Sequence, residues 1–247
     1  MKSPPDTAKK SAAVLLVGDE SLIADFGRVT ASRGYEVLSP KEVKNFKGMA
    51  PRTHIALELT NIDSAKKKER IEALDQCLPP TAAILTSSVN VTVLEQSTWV
   101  TMKHRLVGIG AFPTFINRDV VELAPSVHTL EPAVGVAVKF VESLKKQAVV
   151  VQDRVGMVMP RILCQIINEA MFAVQEGTAS PKEIDVAMKI GAGYPLGPLE
   201  WGERIGFAQV VATLSAIHAY LGEERYRICP LLREIATTGK FWGDAET

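Results

Sequence analysis

A glycine at the end of an apolar run is the first place where this sequence could do chemistry. Gly18 follows Ala12–Val17 and opens the segment Gly18-Asp19-Glu20-Ser21-Leu22-Ile23. A loop that holds the pyrophosphate of a dinucleotide uses glycines so that the chain can turn tightly, approach the phosphates and seat helix on strand. The helix N-terminus then faces the anion. Here only Gly18 answers to that pattern, and Glu20 puts a carboxylate where the phosphates must approach. Sterics and charge both oppose binding in the usual mode. At the end of the next strand, Lys41 stands where an acidic residue would hold the ribose hydroxyls. A basic residue there can mark a phosphorylated ribose, as in NADP.

Other reactive side chains are scattered. Cys77, Cys164 and Cys229 form no Cys-x-x-Cys pair and leave an odd count, which reads as reduced thiols in a cytoplasmic protein. His54, His104, His128 and His218 each read as solvated or packed. There is no metal-ligand spacing, no Gly-x-Ser-x-Gly segment and no supported Cys–His pair. The hydroxyls of Ser87 and Ser88 read as ordinary loop groups.

Composition narrows the classes. The 28 basic and 28 acidic residues cancel, so nothing pulls the protein toward nucleic acid or an anionic membrane. A local basic pocket is compatible with that balance. At 47% hydrophobic, 247 residues can bury the core of one compact unit or two modest domains. No apolar stretch approaches the roughly 20 residues that span a bilayer. The segment Met1–Ser11 is polar and Pro-containing, the pattern of a frayed tail and not of a signal peptide.

The elements that must position these residues follow from periodicity. Ala12–Val17 reads as a buried strand, Ser21–Arg33 as a helix stopped by Gly34, and Tyr35–Leu38 as a second strand. This is a βαβ opening of a parallel sheet. Further strands are expected at Ile55–Leu59, Ala82–Thr86, Arg105–Phe112, Val120–Ala124 and Ala148–Val151. Helices are expected at Ser64–Cys77 and from Glu131 to about Lys146. After Asp153 only helices follow. Val158–Glu176 carries a wide apolar stripe of Ile162, Ile166, Ile167, Ala170, Met171 and Val174. Burial against its own helices and burial against a second subunit both explain that stripe. Ser180-Pro181-Lys182-Glu183 spells a capping box, and Pro198 and Pro230 open further helices. The fold class is α/β, with a Rossmann-like domain over residues 1–152 and an all-helical domain over residues 153–247.

The helical half resembles the C-terminal domain of 3-hydroxyacyl-CoA dehydrogenases. The resemblance rests on Ile167-Asn168-Glu169-Ala170, Glu176-Gly177, Glu183-Ile184-Asp185, Gly191–Pro198 and Cys229-Pro230-Leu231-Leu232-Arg233, in matching order and spacing. The first half is similar at its opening strand, at Ala83-Ile84-Leu85, from Arg105 to Glu122 and at Val151-Gln152-Asp153. The resemblance implies an NAD or NADP cofactor, an acyl-CoA substrate and a homodimer or heterodimer through the helical half, while the charge balance, hydropathy and ligand spacing above point to no nucleic acid, membrane or metal. It also implies a helical hairpin after the second strand, for which only Lys41–His54 is available.

Position by position, the implied chemistry is thinned. The family base is a His that takes the hydroxyl proton while a Glu orients it. Gly110 stands at the His position, and Glu122 keeps the spacing of the Glu without its partner. Pro113 and Pro160 stand where the family has Asn. The substrate-contacting Ser is matched by Val89 or Asn90, with Ser87 and Ser88 near enough to be recruited. Lys67 falls near a family lysine beside the cofactor, though a solvated helix lysine is the plainer reading. These losses together imply a catalytically defective member with a structural or regulatory role. The alternatives are an active dehydrogenase using other residues and a protein that binds acyl-CoA or nucleotide.

Overall fold

The computed structural model describes residues 12–49 and 53–239, so the N-terminal tail expected at Met1–Ser11 lies outside the described residues. Seven strands form one sheet: β1 (Ala13–Gly18), β2 (Glu36–Leu38), β3 (Thr53–Leu59), β4 (Ala83–Ser87), β5 (Leu106–Ile109), β6 (Val120–Ala124) and β7 (Gln147–Val150). Their order is β2-β1-β3-β4-β5-β6-β7. Neighbours run parallel except β5 and β6, which are antiparallel. The reason is length. Between β5 and β6 there is only a single 3-10 turn, Phe115–Asn117, and a parallel return needs a longer crossover.

Among the described residues, five α-helices flank the sheet: α1 (Glu20–Ser32), α2 (Phe46–Met49), α3 (Ser64–Cys77), α4 (Val93–Gln96) and α5 (Glu131–Ser143). Alternate side chains of β1 go to opposite faces. Val14 and Leu16 join Phe26 of α1 and Phe140 of α5 in one cluster. Leu15 and Val17 join Phe46, Leu74 and Val93 in the other, under α2, α3 and α4. Both faces are covered, so β1 is apolar and buried along its whole length.

The helical half holds α6 (Met159–Gln175), α7 (Pro181–Gly191), α8 (Pro198–Ile205), α9 (Phe207–Leu221) and α10 (Pro230–Thr238). The capping box at Ser180 and Glu183 is present. Asp185 performs a similar service across space, accepting Leu199 N at 2.8 Å and Glu200 N at 3.0 Å at the start of α8. The apolar stripe of α6 divides. Ile167, Ala170 and Met171 are buried in the helical core, whereas Ile162 is 56% exposed.

Two boundaries differ from the sequence reading. The strand expected over Arg105–Phe112 stops at Ile109, because Gly110 and the residues after it turn away toward the 3-10 turn. The helix expected to reach Lys146 stops at Ser143, and Lys145 takes a left-handed backbone that feeds β7.

Candidate functional site

Strand ends at one edge of the sheet gather a buried polar network. Lys67, on α3, lies against the end of β3 and is only 2% exposed, so the reading of a solvated helix lysine is corrected. Its ammonium donates to Glu58 Oε2, to Thr60 O at 3.1 Å and to Thr86 Oγ1 at 3.2 Å. An ammonium has three donors, and all three are used. Burial pushes its pKa down while Glu58 holds it up. Lys67 therefore has no donor left for a cofactor in this arrangement.

Next to it, Ser87 donates to Asn61 Oδ1, and Asn61 Nδ2 donates to Ala111 O at 2.7 Å. Asn90 Nδ2 donates to Asn61 O at 2.8 Å, leaving its buried Oδ1 without a partner. Ser88 is fully buried and its hydroxyl contacts Met157 Sδ at 3.3 Å. Of the three candidate substrate contacts, Ser87 and Asn90 thus converge on Asn61, and Ser88 turns to the inter-domain linker. Asn61 and Glu58 had no signal in the sequence, since a lone Asn or Glu at a strand end has no spacing to mark it.

A cavity of about 340 Å³ lies between β1, α1 and the loop after β2. Gly18, Glu20, Ile23, Lys41 and Arg70 line it. Gly18 has φ +142°, and a Cβ there would sit 2.4 Å from the backbone carbon of Leu59. The glycine is thus required by the approach of β1 to β3, whatever binds nearby. Glu20 occupies the first turn of α1 and Ile23 the second. A carboxylate at a helix N-terminus takes the favourable end of the dipole for itself and repels a second anion. These residues do not fit a pyrophosphate. Gly18 and Lys41 share one cavity; Lys67 lies outside it.

The third locus is where β5 and β6 face the first turn of α6. Gly110 N donates to Glu122 O at 2.9 Å, and a Cβ at 110 would stand 3.3 Å from Glu122 Cβ. A side chain at position 110 would therefore neighbour the Glu122 carboxylate. With glycine there, nothing at 110 can take a proton. Both oxygens of Glu122 are instead engaged by α6: Oε2 accepts Val158 N at 2.8 Å and Oε1 accepts Met159 N at 2.7 Å. Pro160 follows in that first turn and is buried. Glu122 is the N-terminal cap of α6. Together with Arg118 and Met159 these residues line a recess of about 290 Å³. Asp153 does the same for α4, accepting Val93 N at 2.9 Å and Leu94 N at 2.8 Å. Arg118 escaped the sequence reading because a single basic residue in a loop carries no pattern. Among the described residues, no group of three or more His, Cys, Asp or Glu side chains could hold a metal ion. No helix among them is long and apolar enough to cross a membrane.

Residues 156–246 match the family model described as the 3-hydroxyacyl-CoA dehydrogenase C-terminal domain. Residues 22–154 match its NAD binding domain, and that match begins past the altered loop at Gly18–Ser21. The chain is 29% identical over 216 residues to a probable 3-hydroxybutyryl-CoA dehydrogenase of Bacillus subtilis, covering 87% of this chain and 75% of that protein. It is 32% identical over 185 residues to the 3-hydroxybutyryl-CoA dehydrogenase of Bradyrhizobium diazoefficiens, covering 72% of this chain and 62% of that one. In fold it is similar to FadB2 of M. tuberculosis, with a TM-score of 0.82 at 19% identity over 94% of this chain and 95% of that one. It is also similar to (S)-3-hydroxybutyryl-CoA dehydrogenase from Ralstonia eutropha, with a TM-score of 0.73 at 21% identity over 93% of this chain and 94% of that one. With a family model matching more than half of its length, the chain belongs to the 3-hydroxyacyl-CoA dehydrogenase family.

Proposed function

We propose that this chain is a non-catalytic member of its family, a structural or regulatory subunit that pairs as a homodimer or heterodimer through its helical half in the cytoplasm. One observation carries the reading. The position beside Glu122 is Gly110, and the Glu122 carboxylate is committed to the backbone amides of Val158 and Met159. Removing a general base alone costs about 10²–10⁴ in rate. Here the orienting carboxylate is also unavailable. Glu20 and Ile23 at the β1–α1 turn speak against NAD or NADP in the usual mode, so no hydride acceptor is expected to be held in place.

The test is hydride transfer between 3-hydroxybutyryl-CoA and NAD or NADP, followed by nicotinamide absorbance, alongside a His-bearing member of the family. The expected result is no turnover above background by this chain, and none restored by Gly110→His alone. Turnover within about 10-fold of the His-bearing enzyme would overturn the reading. Co-purification of a tagged copy with a His-bearing subunit is the expected sign of the partner role.

A further inference from the structure

Beside the recess at Gly110 lies a larger cavity of about 690 Å³, bounded by α6, α8 and residues 114–118. Its wall is largely apolar: Met159, Ile162 and Ile166 on one side, Tyr194 and Trp201 on the other. Ile162 stays 56% exposed there, an apolar surface left uncovered by the chain's own core. Arg118 borders both the recess and this cavity.

The surroundings of Arg118 are unusual for a cation. Burial pushes its guanidinium down to about 10, with Glu122 and Asp25 pulling the other way from a distance, so it stays charged at neutral pH. It donates to Pro113 O at 2.6 Å and to Thr114 Oγ1 at 3.4 Å. Among the described residues, no carboxylate pairs with it within 4.0 Å. The two acids whose charges bear on it are occupied: Glu122 by the α6 amides, and Asp25 Oδ2 by Thr114 N at 3.1 Å. Arg204, the other cation on the cavity wall, is paired with Glu200 at 2.7 Å. A guanidinium carries five donors in a fork that matches a carboxylate, and most of them here are unspent. Arg118 is half-buried with its guanidinium 5.5 Å from the Phe112 ring centroid, and a bound anion would supply the counter-charge that its surroundings lack.

We propose that this cavity binds an amphipathic monoanion, an aliphatic or aromatic carboxylate, with its carboxylate on Arg118 and its apolar body along α6. The volume falls in the range of small-molecule sites, and the lining is apolar around one charged group, as such sites are.

Calorimetric titration of the full chain with decanoate and with decanol tests it. Decanoate is expected to bind about 10-fold tighter than the neutral alcohol, or more, as a charge-assisted pair requires. Arg118→Met should erase that preference while leaving decanol affinity unchanged, and Arg118→Lys should keep part of it. Equal affinity of the intact chain for the two ligands would overturn the proposal without recourse to any variant. So would absence of heat with both. Decanoate affinity that falls as the chain self-associates would also overturn it, assigning the apolar wall to a second copy.

Discussion

Glu58 and Lys67 are both withdrawn from water, at 0% and 3% side-chain exposure. Neither charge could stand there alone, since an unpaired buried charge costs several kcal/mol. Lys67→Met should therefore lower stability by about 3–5 kcal/mol in urea unfolding. The double change Glu58→Gln with Lys67→Met should recover most of that loss, because Gln still accepts from Thr60 N. A single-variant loss below about 1 kcal/mol would show that the pair contributes nothing. None of this was legible in sequence. Lys66, Lys67 and Lys68 are consecutive, and only the docking of α3 on β3 singles out the middle one. Gly110 and Glu122 are the opposite case: the family resemblance pairs their positions, and the β5–β6 junction has Gly110 N donating to Glu122 O.

At the level of elements, the first turn of α6 is finished by a side chain 36 residues away in the chain. Glu122→Ala should cost about 1 kcal/mol, the usual value of a lost N-terminal cap, with faster hydrogen exchange at Val158 and Met159. An unchanged exchange pattern there would deny Glu122 this role. Two elements match the bounds expected from the sequence, α3 at Ser64–Cys77 and β6 at Val120–Ala124. The one-turn helix α4 was not readable, because Val93–Gln96 is too short to show a period. The antiparallel step between β5 and β6 was also hidden. A hydrophobic run marks a strand without giving its direction, and only the length of the connection does that.

Across the whole molecule, one apolar cluster joins the halves: Val89, Phe112 and Ala124 from the sheet side meet Met157, Leu163 and Ile167. Cys164 and Cys229 lie in that cluster at 0% exposure, and burial pushes the Cys164 thiol up to about 12. Cys77 is partly exposed. A disulfide reagent should therefore titrate Cys77 alone in the native protein and all three thiols in denaturant; native labelling of Cys164 would show that the halves separate readily. The contact between halves was out of reach of the sequence because its members are far apart in the chain and belong to different periodicities. The paired carboxylates of Asp153 and Glu122 sharpen the point. Each rivets one end of the short linker to a helix start, one on α4 and one on α6. Held at both ends, the linker resists swinging by about the value of one helix cap at each, so the gap between the halves is expected to stay close to its folded dimensions. Whatever enters that gap is then expected to be selected by its width.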